Sequence, residues 1–188
     1  IFFRHQNLKC VLKHYYRGGI LGRYIRDRYL WTGIDGSRSI REFMRLKELS
    51  AMGLPVPKPI GARVKKLGAT YTADLISIEI ENSKTLSELI AEDDIDKNIW
   101  EAIGQCLHSF NAKDIYHPDL NTNNILIDDQ QNVYLIDFDT SSRLHQKIAS
   151  KKSTLDRFRR SLKKTYKERN KHFSESDWNI VLSNSSTD

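Results

Sequence analysis

Two groups of polar residues in the second half of the chain could transfer a phosphoryl group. Asp119 and Asn124 lie in the first group, and Asp137 lies in the second, together with Asp139. Carboxylate and carboxamide oxygens are hard ligands of the kind that hold Mg²⁺ beside substrate phosphates. A further carboxylate set apart from the metal could accept a proton from a hydroxyl group. These residue types therefore predict phosphoryl transfer to an alcohol, provided that the chain brings them together.

A predicted β-hairpin could bring the two groups together. The apolar runs Ile125–Ile127 and Val133–Ile136 lie on either side of a polar turn. Because a hairpin places the start of one strand beside the end of the other, we expect Asp119, Asn124 and Asp137 to converge. An Asn- and Asp-rich turn before an ordinary hairpin is the alternative interpretation, since both residues favour turns.

The order of these residues resembles the protein-kinase-like superfamily. His117-Pro118-Asp119 with Asn124 is similar to the H-R-D-x-x-x-x-N catalytic loop, and Asp137-Phe138-Asp139 is similar to D-F-G. The resemblance implies that Asp119 is the catalytic base. It also implies that Asn124 and Asp137 hold Mg²⁺ and, through it, ATP.

Several departures distinguish the chain from regulated protein kinases. Pro118 replaces the arginine of the catalytic loop, Asn121 stands where a lysine is common, and Asp139 replaces the glycine of D-F-G. No A-P-E segment follows. The departures favour small-substrate or atypical members of the superfamily. They leave open whether Asn121 assists acceptor binding and whether Asp139 assists the metal or the substrate.

The first half of the chain supplies candidate partners for ATP. Val11-Leu12-Lys13 resembles the V-A-I-K strand, which implies that Lys13 contacts the α and β phosphates. A solvated strand lysine is the alternative. A helix predicted over residues 40–52, capped by Gly53, carries Glu42 as the partner of Lys13, with Glu48 as the other candidate.

The hydrophobic patterns predict an α+β, protein-kinase-like fold with two lobes. Residues 1–81 would form an antiparallel-sheet lobe with one main helix, and residues 82–188 a reduced, mostly helical lobe with the hairpin. The apolar face of the main helix is expected to centre on Ile40, Phe43 and Met44, with Leu46 and Leu49 widening it. Further elements expected are strands near 1–3, 9–13, 62–64 and 71–80, a turn at 65–68, a capping box at Thr85–Glu88, a helix over 94–110, a helix capped by Ser153, and a frayed tail over 183–188.

Composition places the chain among soluble globular proteins. It has 188 residues, of which 39% are hydrophobic and 29% charged, and its two cysteines, Cys10 and Cys106, suggest a reducing compartment rather than a disulfide framework. No apolar run reaches the roughly 18 residues needed to span a bilayer, and no signal-peptide pattern is found. The chain begins at Ile1 without Met, so we expect a fragment that lacks the glycine-rich loop.

Positive charge is concentrated in two segments. Residues 14–31 combine arginines with aromatic residues around an expected turn at Gly18-Gly19, and residues 147–171 contain 11 Lys or Arg against two acids. A narrow apolar stripe at Leu155, Phe158 and Leu162 predicts a helix with a mostly positive surface. Such a surface fits an anionic membrane or acceptor, whereas an ordinary solvated face is the alternative.

Blocks spread over almost the whole chain resemble the lipopolysaccharide kinases of Gram-negative bacteria. They are HYYRGG, DRYLWTG, REF, GLPVPKPIGARV, HPDLNTNNILID and LIDFD. Within that family the similarity is to kinases of 3-deoxy-D-manno-octulosonic acid (Kdo). The resemblance implies ATP- and Mg²⁺-dependent phosphorylation of the 4-hydroxyl of Kdo-lipid A. It also implies a peripheral protein on the cytoplasmic face of the inner membrane, with no nucleic-acid partner.

Other functions stay open at this point. The chain could phosphorylate another lipopolysaccharide sugar, or it could be an atypical kinase linked to tRNA modification, which salt-sensitive RNA binding would favour. A pseudokinase would bind nucleotide without turnover, although Asp119, Asn124 and Asp137 are all present. A basic membrane-adaptor domain would bind vesicles without being stabilised by ATP.

Overall fold

The structure, a computed structural model, describes residues 1–16, 27–92, 94–139 and 150–186. The described residues form an α+β fold of two compact units, which confirms the predicted fold class. The first unit holds the described parts of Ile1–Gly53 and Pro57–Glu79, with Phe138 and Asp139. The second holds Leu54–Val56, Ile80–Asp137 and the described residues from Ser150 onward. The expected turn at Gly18-Gly19 lies outside the described residues.

An antiparallel sheet dominates the first unit. Its central strand β5 pairs with three others, and β1 extends the sheet beyond β2. Gln6 and Asn7 have φ of 46° and 67°, as a two-residue hairpin turn between β1 and β2 requires. The strands are β1 (Phe2–His5), β2 (Leu8–His14), β3 (Tyr29–Leu30), β4 (Pro59–Leu67) and β5 (Thr70–Ile78).

The turn expected at residues 65–68 is wrong, because β4 continues through Leu67. Lys65 and Lys66 pair with Thr72 and Tyr71 in register, and the reversal occurs at Gly68, whose φ of 63° suits a glycine. Within the described residues β4 pairs only with β5, so it is an edge strand. Lysines are common on edge strands, so two consecutive lysines are as compatible with an edge strand as with a turn.

Helix α1 (Arg38–Ala51) packs on β4 and β5, and Gly53 follows it with a φ of 73°, as predicted for a helix end. The predicted apolar face is confirmed at Leu46 and Leu49, which are buried, but it is wrong at its centre. Ile40 and Phe43 are only half-buried and Met44 is exposed, whereas the buried positions are Ser39, Glu42, Leu46 and Leu49. A glutamate thus occupies the buried face of α1, which a pattern of apolar residues cannot indicate.

The second unit combines a small sheet with helices. Its strands pair antiparallel, and β7 and β8 form the predicted hairpin. The capping box at Thr85–Glu88 is confirmed: the Thr85 amide donates to Glu88 Oε2 at 2.7 Å and the Glu88 amide donates to Thr85 Oγ1 at 3.1 Å. The elements are β6 (Lys84–Thr85), α2 (Leu86–Glu92), α3 (Lys97–Asn111), β7 (Ile125–Ile127), β8 (Val133–Leu135), α4 (Lys151–Glu168) and α5 (Glu175–Ser185).

Helix boundaries in the second unit differ from the expectations at several points. Helix α3 begins at Lys97 rather than at residue 94. The cap of α4 is Ser150, whose hydroxyl accepts from the Ser153 amide, so Ser153 lies inside the helix. Instead of a frayed tail, α5 continues to Ser185. It packs so closely on α3 that a Cβ added to Gly104 would lie 2.5 Å from the Asn184 Cβ.

Two further properties concern the apolar character of the helices and the state of the two cysteines. Among the described helices, none combines the length and the apolar character needed to cross a membrane. Cys10 and Cys106 are both buried free thiols. Burial raises the pKa of the Cys106 thiol to about 12, which keeps it protonated and unreactive at neutral pH.

Candidate active site

His117 connects the start of the candidate catalytic loop to the end of the hairpin. The Asp119 amide donates to His117 Nδ1 at 3.1 Å, so the ring proton lies on Nε2, which donates to the Ile136 carbonyl at 2.9 Å. Only 3% of His117 is exposed. The neutral imidazole therefore fixes the backbone of Asp119 relative to the residue that precedes Asp137.

Asn124 makes a second connection between the same segments. Its Nδ2 donates to the Asp119 carbonyl at 3.0 Å, and its own carbonyl accepts from the Ile136 amide at 3.0 Å. Hydrogen bonds within the second unit thus connect the loop of Asp119 and Asn124 to the segment that precedes Asp137, as expected from the hairpin. Asp137 follows with a φ of 64°, a left-handed conformation that Asp adopts more readily than bulkier residues.

The donor set of these residues fits Mg²⁺. Because Asn124 uses Nδ2 on the loop backbone, its Oδ1 is the side-chain atom suited to a cation. Asp137 adds a carboxylate on the next segment. Hard oxygen ligands of this kind are those that Mg²⁺ prefers. Asn124 and Asp137 are therefore candidate metal ligands.

Asn121 shapes the loop from within. Its Nδ2 donates to the Asp119 carbonyl at 2.9 Å, and its Oδ1 accepts from the Asn123 amide at 2.9 Å. The Asn124 amide also donates to the Asn121 carbonyl at 3.0 Å. Both ends of the Asn121 carboxamide thus stabilise the turn that presents Asp119.

The carboxylate of Asp119 contacts an arginine that the sequence did not indicate. Arg157 Nη1 on α4 donates to Asp119 Oδ1 at 2.7 Å. The two side chains are 41% and 62% exposed respectively, so both are accessible to a ligand. A cation therefore lies directly beside the candidate catalytic base.

One face of α4 makes several polar contacts with the loop that carries Asp119. Thr154 Oγ1 donates to the His117 carbonyl at 3.3 Å, and the Thr122 amide donates to Ser161 Oγ at 3.1 Å. The hydroxyl groups of Thr122 and Thr165 are 2.8 Å apart. The α4 residues that contact the loop are 154, 157, 161 and 165, a helical spacing. This polar stripe beside Phe158 and Leu162 could have been found in the sequence.

In the first unit, Lys13 and Glu42 form the ion pair that the resemblance implied. Lys13 Nζ lies 2.8 Å from Glu42 Oε2 and 3.0 Å from Oε1. The Tyr15 hydroxyl also donates to Glu42 Oε2, at 2.5 Å, and only 2% of the Glu42 side chain is exposed. Glu48, the other candidate, is exposed and pairs with Arg45 at 2.7 Å.

Asp139 pairs with an arginine within the first unit. Arg38 Nε donates to Asp139 Oδ2 at 2.7 Å, Arg38 Nη2 contacts the same oxygen, and Nη1 donates to the Tyr29 hydroxyl at 2.7 Å. Burial lowers the pKa of Arg38, but the hydrogen bond and charge of Asp139 outweigh burial and raise it. The Arg38 guanidinium also lies over the rings of Tyr29 and Tyr15. Asp139 therefore anchors its segment through Arg38.

Comparison with known proteins identifies the family. The model of the lipopolysaccharide kinase (Kdo/WaaP) family matches residues 1–184. The chain belongs to this family. Curated relatives named 3-deoxy-D-manno-octulosonic acid kinase occur in Vibrio parahaemolyticus serotype O3:K6, at 37% identity over 96% of the chain and 75% of the relative. Another occurs in Haemophilus influenzae strain 86-028NP, with 38% identity over 91% of the chain and 73% of the relative. A third occurs in Vibrio cholerae serotype O1, with 37% identity over 97% of the chain and 77% of the relative.

Proposed function

We propose that this lipopolysaccharide kinase is a 3-deoxy-D-manno-octulosonic acid kinase that phosphorylates the 4-hydroxyl of the Kdo residue on Kdo-lipid A. The family match and the names of its relatives support the reaction class and the sugar. The observation that carries the proposal is the hydrogen-bonded frame in which His117 and Asn124 connect Asp119 to the segment of Asp137.

Asp119 is the catalytic base in this proposal. Its exposed carboxylate accepts a hydrogen bond from the sugar hydroxyl and then takes the proton. The hydroxyl oxygen forms a bond to the γ-phosphorus of ATP while the bond to the β-phosphate oxygen breaks and ADP leaves. Because the transition state is loose, correct positioning and charge stabilisation supply most of the acceleration.

The remaining candidate residues bind the nucleotide. Asn124 and Asp137 would hold Mg²⁺, which would neutralise charge on the ATP phosphates. Lys13 contacts the α and β phosphates, and Glu42 holds the Lys13 ammonium in a defined place through two contacts. Tyr15 supports Glu42 by donating to the same carboxylate.

To reach the acceptor lipid, the enzyme must bind at a membrane surface. Helix α4 has a basic face that could make this contact. We define its lysine face as Lys152, Lys163, Lys164 and Lys167, all of which are exposed. Clusters of this kind bind anionic leaflets with about 1 kcal/mol per basic residue. We therefore place the enzyme peripherally on the cytoplasmic face of the inner membrane, where anionic lipid and Kdo-lipid A are both available.

Identification of the product tests the proposal. The protein is incubated with ATP, Mg²⁺ and Kdo-lipid A, and the lipid is analysed by mass spectrometry and by phosphorus–proton correlation NMR. We expect the mass of one added phosphate and a correlation to the proton on C4 of Kdo. An unmodified lipid would contradict the acceptor, and a correlation to another carbon would contradict the position.

A further inference from the structure

The contact between Arg157 and Asp119 suggests how the acceptor is selected. We propose that Arg157 binds the carboxylate of the acceptor sugar acid while Asp119 holds the hydroxyl that is phosphorylated. This inference rests on the proposed function, because it takes a sugar acid as the acceptor. It assigns to α4 a role in substrate specificity that is separate from binding to the membrane surface.

The position of Arg157 is defined on both sides by polar contacts. One turn before it, Thr154 Oγ1 donates to the His117 carbonyl at 3.3 Å, and one turn after it, Ser161 Oγ accepts from the Thr122 amide at 3.1 Å. Thr154 and Thr122 are buried. The guanidinium is thus carried by a helix that is fixed to the loop presenting Asp119. Such preorganisation suits a binding residue.

The guanidinium retains donors for a ligand. Arg157 uses Nη1 on Asp119, and its other N–H groups have no hydrogen-bond acceptor among the described residues. A planar guanidinium presents five donors in a fork whose geometry matches a carboxylate, and paired contacts of this kind are stronger than those of a neutral donor. Because 41% of the side chain is exposed, an incoming carboxylate can reach the group.

The chemistry of the acceptor fits this arrangement. In a 3-deoxy-2-ulosonic acid the carboxyl group is C1, and C4 carries the first hydroxyl beyond the deoxy carbon. Only C2 and C3 separate the carboxyl carbon from C4. A cation in direct contact with the catalytic carboxylate is therefore suitably placed to bind the acid while Asp119 binds the 4-hydroxyl. A neutral hexose lacks the acid and would lose this contact.

A purely positioning role for Arg157 makes a different prediction. If the arginine only holds the Asp119 carboxylate in place, its removal impairs transfer to every acceptor equally. If it binds the acceptor carboxylate, its removal matters only when that carboxylate is present. The two roles are separated by measuring the coupling between the arginine and the acid, as in a double-mutant cycle.

The experiment compares two acceptors and two proteins. The acceptors are Kdo-lipid A and its derivative in which the Kdo carboxyl is converted to a primary amide. The proteins are the wild type and Arg157→Gln, and kcat/KM for the acceptor is measured at saturating ATP. On Kdo-lipid A we expect Arg157→Gln to lose about tenfold or more, as for a lost charge-assisted hydrogen bond. We expect the wild type to use the amide poorly, and we expect Arg157→Gln to show no comparable further loss on it.

Two further variants serve as controls. Arg160→Gln removes the same charge from the exposed surface of the same helix and reports any diffuse electrostatic contribution. We expect its effect on the natural acceptor to be well below that of Arg157→Gln. Arg157→Lys keeps the charge without the planar fork and should recover part of the lost kcat/KM. Circular dichroism and thermal melting verify that each variant folds.

The outcomes separate this inference from the proposed function. If the wild type phosphorylates neither acceptor, the proposed function fails and the inference fails with it. If the wild type phosphorylates Kdo-lipid A but Arg157→Gln loses the same factor on both acceptors, only the inference is overturned. It is also overturned if Arg157→Gln and Arg160→Gln behave alike on the natural acceptor.

Discussion

Lys13 on β2 and Glu42 on α1 form a close ion pair, with the lysine nitrogen 2.8 Å and 3.0 Å from the two carboxylate oxygens. The glutamate is almost completely buried, whereas 34% of the lysine side chain is exposed. A buried carboxylate needs both charge compensation and hydrogen bonds, and Lys13 and Tyr15 supply them. The pair therefore links the stability of the first unit to the proposed contact with ATP.

Replacing Lys13 should impair both stability and nucleotide binding. In Lys13→Met the Glu42 carboxylate stays buried without its lysine partner, so we expect the free energy of unfolding to fall by about 1–3 kcal/mol. The KM for ATP should rise at the same time. Denaturant unfolding and initial-rate kinetics measure the two effects. Glu48→Gln on the exposed side of α1 is the control, and a Lys13→Met enzyme with unchanged KM for ATP would remove Lys13 from nucleotide binding.

Asp137 should be required for binding Mg²⁺ and ATP. Asp137→Asn is the preferred variant because Asn tolerates the φ of 64° at this position, whereas Ala would add backbone strain. We expect calorimetry to show MgATP binding weakened about tenfold or more, since a carboxylate ligand becomes neutral. Asp129→Asn, an exposed change in the hairpin turn, is the control. Unaltered MgATP affinity in Asp137→Asn would contradict the assignment.

Asp139 should act through Arg38 rather than as a metal ligand. Arg38→Gln and Asp139→Asn each break the same partly buried pair, so we expect each to lower the free energy of unfolding. In the double variant the two effects should be non-additive, with a coupling of about 1–3 kcal/mol. Thermal and denaturant unfolding of the full cycle provide the measurement. If Asp139 were a metal ligand, Asp139→Asn would weaken Mg²⁺ binding whereas Arg38→Gln would not, and the free energy of unfolding of Asp139→Asn would be unchanged.

The lysine face of α4 should determine binding to anionic membranes. Replacing Lys152, Lys164 and Lys167 with Gln should weaken binding to vesicles containing anionic lipid by about ten- to hundredfold, at up to 1 kcal/mol for each lysine. Because screening by salt reduces such attraction, the difference should shrink as ionic strength rises. Sedimentation with vesicles measures it. A matched triple change of Lys65, Lys97 and Lys113 tests general charge, and equal losses in both triple variants would exclude a specific lysine face.

Features that depend on neighbouring residues could be predicted from the sequence. The hairpin of β7 and β8 follows from apolar runs around a turn, and the capping box at Thr85–Glu88 follows from a local four-residue pattern. The pairing of Lys13 with Glu42 needed the family resemblance, because the pair joins residues far apart in the chain. Its physical basis, a glutamate on the buried face of α1, was absent from the apolar pattern.

Features that depend on tertiary contacts could not be predicted in the same way. Arg157 belongs to a segment with so many basic residues that its charge alone does not distinguish it from Arg159 or Arg160. The helical spacing of 154, 157, 161 and 165 does separate it from them, but this spacing does not identify Asp119 as its partner. Its importance follows from the contact with Asp119 across the chain. The pairing of Arg38 with Asp139 is equally non-local. Helix α5 was missed because its serines and asparagines favour caps and turns, and packing against α3 outweighs that preference.

The most direct test of the central claim is the transfer of labelled γ-phosphate from ATP to Kdo-lipid A by the wild type and by Asp119→Asn. Asparagine keeps the size of the side chain but cannot accept the proton. We predict labelled lipid with the wild type, and a loss of at least about a hundredfold with the variant, as for removal of a general base. MgATP binding should persist in the variant. Near wild-type transfer by Asp119→Asn, or no labelling of Kdo-lipid A by the wild type, would contradict the account.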